Sequence, residues 1–97
     1  MISIHNIFVC KPGNASKMAT LFKEWADFKK DWNMAVMTDM TGQFHRVVIT
    51  ESHASFAAYE EAQKNMGESP EEKALMEKFK DMNEMYVSGS REIYKVW

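Results

Sequence analysis

The first apolar run, Ile2 to Cys10, is rich in Ile, Phe and Val and stops at Lys11-Pro12-Gly13-Asn14, where proline removes an amide donor and glycine permits positive φ. It predicts a strand. From Ala15 to Trp32 the large apolar residues Met18, Leu21, Phe22, Trp25 and Phe28 recur three and four residues apart, as one face of a helix requires, while Lys17, Lys23, Glu24, Asp27, Lys29 and Lys30 cover the rest. Two short runs follow, Asn33 to Met40 and Phe44 to Glu51, divided by Thr41-Gly42, a pair suited to a tight hairpin. With that turn Met34 pairs with Ile49, Val36 with Val47 and Thr38 with His45 on one face, and Ala35 with Val48, Met37 with Arg46 and Asp39 with Phe44 on the other. A helix is predicted from Ala54 to about Met66, with Phe56, Tyr59, Ala62, Gln63 and Met66 sharing a face and Gly67 closing it. Ser69-Pro70-Glu71-Glu72 then places an N-cap hydroxyl, a first-turn proline and a third-position Glu, so that cap and Glu each satisfy the other's free amide. That helix should run from Pro70 to Asn83 and bury Leu75, Phe79 and Met82. Tyr86 to Trp97 reads as a long final strand, with Gly89 marking a bulge or bend.

The order is an α+β one: the ferredoxin-like β-α-β-β-α-β arrangement with its second helix split in two, as one domain over residues 1–97 with a four-stranded antiparallel sheet. Right-handed crossovers put both helical layers on one side of the sheet, leaving the other side bare. Neither predicted hairpin face is polar enough to live in water, and a large exposed apolar face is rare in a stable monomer. The expectation is a homodimer, its sheets packed face to face across a two-fold axis and burying beyond about 2,000 Å².

Composition narrows the partners. Twelve Lys and Arg against 14 Asp and Glu give a net charge of −2, without the basic excess of a general nucleic-acid binder. No apolar run approaches the roughly 20 residues that span a bilayer. The opening Met1-Ile2-Ser3-Ile4-His5 lacks the basic start and long apolar stretch of a secretion signal, so the expectation is a cytoplasmic protein with no membrane partner. The single Cys excludes an internal disulfide framework.

The strand ending in Lys11-Pro12-Gly13, the hairpin running into Glu51-Ser52-His53-Ala54-Ser55-Phe56-Ala57-Ala58-Tyr59-Glu60-Glu61-Ala62 and the closing Gly89-Ser90-Arg91-Glu92-Ile93-Tyr94-Lys95-Val96 resemble the dimeric α/β-barrel superfamily. Within it the chain is most similar to small NIPSNAP-like and antibiotic-biosynthesis-monooxygenase-like proteins. The resemblance spans nearly the whole chain and implies a homodimeric barrel with a pocket inside it or beneath its helices. Members of the superfamily range from cofactor-free oxygenases and haem-degrading enzymes to proteins of unknown role. Haem degradation there uses an Asn, a Trp and a His. This chain has Asn6, but its third helix holds neither Trp nor His.

For chemistry, His5 and His45 fall on strands that neighbour each other in this fold and form the expected acid–base pair. Together with Glu51 or Asp39 they could face a divalent ion, yet no His-x-His or His-x-x-x-His spacing supports a metal. Arg46 and Arg91 lie within strands, where a guanidinium needs a carboxylate or an anionic substrate group. Nine Met residues, with Met34, Met37 and Met40 in one strand, suit either a pliable core or an apolar ligand pocket. Tyr59 and Tyr94 supply phenolic donors. His5 and His45 are thus the candidate catalytic residues and Arg46, Arg91, Met37 and Tyr94 the candidate substrate contacts, with no cofactor. The function expected is binding, and cofactor-free oxidation, of an apolar or aromatic small molecule. The alternative is a non-catalytic binding or interaction module.

Overall fold

A computed structural model describes residues 1–41 and 44–97. Strand β1 is Ile2–Cys10, helix α1 Ala15–Phe28, β2 Ala35–Thr38, β3 Arg46–His53, α2 Phe56–Lys64, α3 Pro70–Glu77 and β4 Tyr86–Lys95. The strands form one antiparallel sheet in the order β2-β3-β1-β4, the ferredoxin-like topology expected. Among the described residues no helix is long and apolar enough to cross a membrane.

Side-chain parity assigns the faces. Ile4, Asn6, Phe8 and Cys10 of β1 share one side with Val47, Ile49, Glu51 and His53 of β3, and the helices pack there. Cys10, Met18, Val47 and Ile49 form the buried nucleus, and Phe8 stacks on Phe22 of α1 at 5.8 Å between ring centroids. The opposite, helix-free face carries His5, Ile7 and Val9 of β1, Arg46, Val48 and Thr50 of β3, Ala35 and Met37 of β2, and Ser88, Ser90, Glu92 and Tyr94 of β4.

The hairpin register is shifted by two residues from the expected one: Val36 lies opposite Ile49, Met37 opposite Val48 and Thr38 opposite Val47. The cause lies at Asp39. Its amide donates to the Arg46 carbonyl (3.3 Å) and its Oδ1 accepts the Arg46 amide (2.8 Å), so pairing continues to 39 and 46. A slip of two preserves which face each side chain occupies. Gly42, half of the predicted turn pair, lies outside the described residues.

Two helices stop short of their apolar patterns. Helix α1 ends at Phe28, and a 3-10 turn, Lys30–Trp32, swings Trp32 inward against Trp25 at 5.9 Å. Helix α3 ends at Glu77, and a second 3-10 turn, Met82–Glu84, leads into β4. Its capping box is only half made. Ser69 Oγ accepts the Glu72 amide at 3.1 Å, but the Glu72 carboxylate turns inward to Lys29 Nζ at 3.0 Å. That ammonium also lies over the rings of Trp25, Phe28 and Trp32, so the desolvated pair keeps favourable neighbours.

The irregularity expected at Gly89 falls two residues earlier. Val9 faces Ser88 and Cys10 faces Tyr86, leaving Val87 as the extra, exposed residue of a bulge. Gly89 has a different reason to be glycine: a Cβ there would come within 3.2 Å of the Phe8 ring.

Candidate functional site

On β3 the inward positions change character midway. Val47 and Ile49 are apolar and packed under α1, whereas the next two inward residues, Glu51 and His53, are ionisable and still buried, with side chains only 5% and 7% exposed. The His53 ring lies between Trp32 (5.5 Å) and Tyr59 of α2 (5.3 Å). Among the described residues its Nε2 has no hydrogen-bond partner, and it stands 3.5 Å from Glu51 Oε2, too far for a formed bond. Burial pushes the Glu51 carboxyl above its ordinary range, against the opposing pull of His53 and of the Arg91 guanidinium. Burial likewise raises the Tyr59 phenol, which Arg91 lowers and Glu51 raises further.

Across the sheet, Arg91 of β4 pairs in register with Asn6, and its Nε donates to Asn6 Oδ1 at 2.6 Å. Among the described residues no carboxylate forms an ion pair with it. Asn6, Arg91 and Glu51 all open onto one chamber of about 200 Å³ between sheet and helices, walled by Trp25, Trp32 and Ile49. Beside it lies an apolar cleft of about 260 Å³, in which Phe22 and Trp25 of α1 face Met66, Met76, Phe79 and Met82. An apolar cavity of about 150 Å³ holds a benzene ring, so chamber and cleft have room for a substituted aromatic molecule. Chemically, the arrangement offers a base, a cation and an aromatic wall.

The whole chain superposes on a NIPSNAP domain protein from Burkholderia xenovorans with a TM-score of 0.77 at 8% identity, covering 100% of this chain and 95% of that one. A NIPSNAP family protein from Agrobacterium tumefaciens gives 0.75 at 15% identity over 96% and 82%. The fold is NIPSNAP-like. A candidate antibiotic biosynthesis monooxygenase from Deinococcus radiodurans shares it with a TM-score of 0.67 at 15% identity, over 100% and 93% of the two chains. No protein-family model and no curated protein matches the sequence.

The NIPSNAP-like fold separates the residues singled out from sequence. His5 and His45 do not meet. His5 sits opposite Thr50 on the helix-free face, while His45 lies in the connection before β3, at φ 62°, roughly five residues or ~16 Å along the strand. His5 accordingly has local partners, Ser3 Oγ at 3.1 Å and the Tyr94 ring at 5.0 Å. Arg46, Met37 and Tyr94 also occupy the helix-free face, remote from the chamber. Arg46 does meet Asp39, but through its backbone amide, and its Nε is buried without a partner among the described residues. Only Arg91 of the six lines the chamber. Glu51 entered the sequence reading only as a possible companion of His5 and His45; its pairing with His53 was signalled by parity, since both continue the inward alternation begun by Val47 and Ile49. No group of three or more His, Cys, Asp or Glu residues converges as a metal site among the described residues.

A carboxyl whose pKa is raised on folding binds protons more tightly in the folded chain, so its burial costs stability at neutral pH and the cost disappears as pH falls through the raised value. Glu51→Gln, which keeps the shape without the charge, should therefore be about 1 kcal/mol more stable than the parent at neutral pH. The difference should close in mild acid. Urea denaturation across that range checks it; an E51Q protein less stable at neutral pH would show that His53 and Arg91 more than offset the burial.

Proposed function

We propose that the protein binds a small apolar or aromatic molecule in the chamber beneath its helices and removes a proton from it with Glu51, preparing it for cofactor-free oxygenation. One observation carries the reading: an almost fully buried carboxylate, shifted upward by burial, faces an aromatic cavity with His53 Nε2 unpartnered behind it. A base of this kind is effective when its pKa approaches the working pH. Once deprotonated, an electron-rich substrate passes an electron to O2, the two radicals join at carbon, and loss of water leaves a carbonyl. A substrate CH2 and O2 thus become C=O and H2O.

The same reading includes a homodimer in the cytoplasm. Ile7, Val9, Val48 and Met37 make the centre of the helix-free face apolar, and a second copy packed against them would shelter His5, Arg46 and Tyr94 in the seam. A non-catalytic binding module is the second reading, favoured by the wholly apolar lining of the Phe22–Met82 cleft.

Titration with 1-naphthol should quench the fluorescence of Trp25 and Trp32, and an oxygen electrode should record uptake above that of buffer, lost in Glu51→Gln. Quenching without uptake across a panel of electron-rich phenols selects the binding module. Absence of both overturns the chamber as a ligand site.

A further inference from the structure

We propose a second, oxygen-independent activity for the same chamber: keto–enol tautomerisation of aromatic 2-keto acids, with Arg91 holding the keto acid and Glu51 moving the proton. The inference rests on the reading above in taking the chamber as the substrate site and Glu51 as its base. What it adds comes from β1 and β4. Asn6 engages Nε of Arg91 at 2.6 Å, which fixes the guanidinium plane and leaves its two terminal nitrogens without an ion-pair partner among the described residues. A guanidinium edge presents parallel N–H donors. A 2-keto carboxylate presents a matching edge, one carboxylate oxygen and the adjacent keto oxygen.

With that edge on Arg91, the ring extends toward Trp25 and the Met-lined cleft, and the C3 methylene between ring and keto group lies on the Glu51 side of the chamber. Glu51 takes a C3 proton, the C2–C3 double bond forms as the keto π pair moves onto oxygen, and the negative charge rests against Arg91. Return of a proton to that oxygen gives the enol, and return to C3 regenerates the ketone. No oxidant is consumed. Asn6 holds the guanidinium in place, so a positioned cation faces the developing charge without having to reorganise.

Phenylpyruvate in D2O under argon provides the test, since each turnover through the enol replaces a C3 proton by deuterium and erases the methylene signal in proton NMR. Exchange at least about 100-fold above buffer is expected, the usual scale of a positioned general base. Glu51→Gln should lose that acceleration while phenylpyruvate still quenches tryptophan fluorescence, and Glu51→Asp should keep part of it. Arg91→Gln should weaken the quenching by phenylpyruvate but not by 1-naphthol, which has no carboxylate. Phenylpyruvate that quenches the parent protein without accelerated exchange overturns the tautomerase, and leaves the oxygenation reading standing if 1-naphthol still drives oxygen uptake. Exchange undiminished in a folded Glu51→Gln protein overturns it equally. Failure of both ligands to bind removes the reading beneath it as well.

Discussion

Val47→Asp is expected to leave no folded protein. Val47 is fully buried within the nucleus of Cys10, Met18 and Ile49, a site of carbon and sulfur atoms. An ionised Asp there costs several kcal/mol of desolvation without a partner, and a protonated one still forfeits about 1.5–3 kcal/mol of apolar burial while stranding a hydroxyl. A domain of this size has roughly 5–15 kcal/mol in hand. Circular dichroism should show loss of the cooperative thermal transition. A transition within a few degrees of the parent's would mean that this nucleus is not the core.

Val48→Asp, one residue along, should act in the opposite way. Its side chain points to the helix-free face, where it stands opposite Ile7 and Met37. In a lone protomer an Asp at that position is hydrated and the fold survives. In two sheets packed face to face it is buried against apolar partners, so the dimer should weaken more than a hundredfold, about 3 kcal/mol. Sedimentation should report a dimer for the parent chain and a monomer for the variant, with unchanged circular dichroism. A parent chain that is monomeric and stable at micromolar concentration would defeat the dimer, and with it any role for His5, Arg46 and Tyr94 in a shared seam.

The contrast between these neighbours shows what was legible in the sequence. Periodicity placed every strand and helix, because each carries an apolar stripe wide enough to mark its period, and Ser69-Pro70 announced α3 through local chemistry alone. The ends of helices were less legible. Apolar Trp32 and Met82 continue the helical pattern in spacing, yet they reach the core from 3-10 turns, whose geometry the pattern does not distinguish. The hairpin register escaped because the Asp39 carboxylate accepts the Arg46 amide and extends the pairing, which no apolar pattern announces. The expected meeting of His5 with His45 fails for a similar reason. His5 and His45 lie on adjacent segments, but adjacency of strands says nothing about position along them, whereas Glu51 and His53 needed only the alternation of β3 carried two steps further. Arg91, singled out because a cation inside a strand demands an explanation, is the one of the six that lines the chamber. Its partner, Asn6, became apparent only with the register of β1 on β4.

The outer strand has a consequence for how the chain keeps to itself. β4, ten residues long, pairs with β1 on one side and, among the described residues, with no strand on the other, so its outer row of amides and carbonyls is a template for a foreign strand. Short β2, four residues, offers little such footing at the opposite margin. Along β4 the bulge at Val87 breaks the repeat at one end, and Arg91, Glu92 and Lys95 place charges of alternating sign along the remainder. These irregularities make fibrillar growth along that margin unfavourable, so the strand whose arginine lines the chamber also discourages runaway sheet extension.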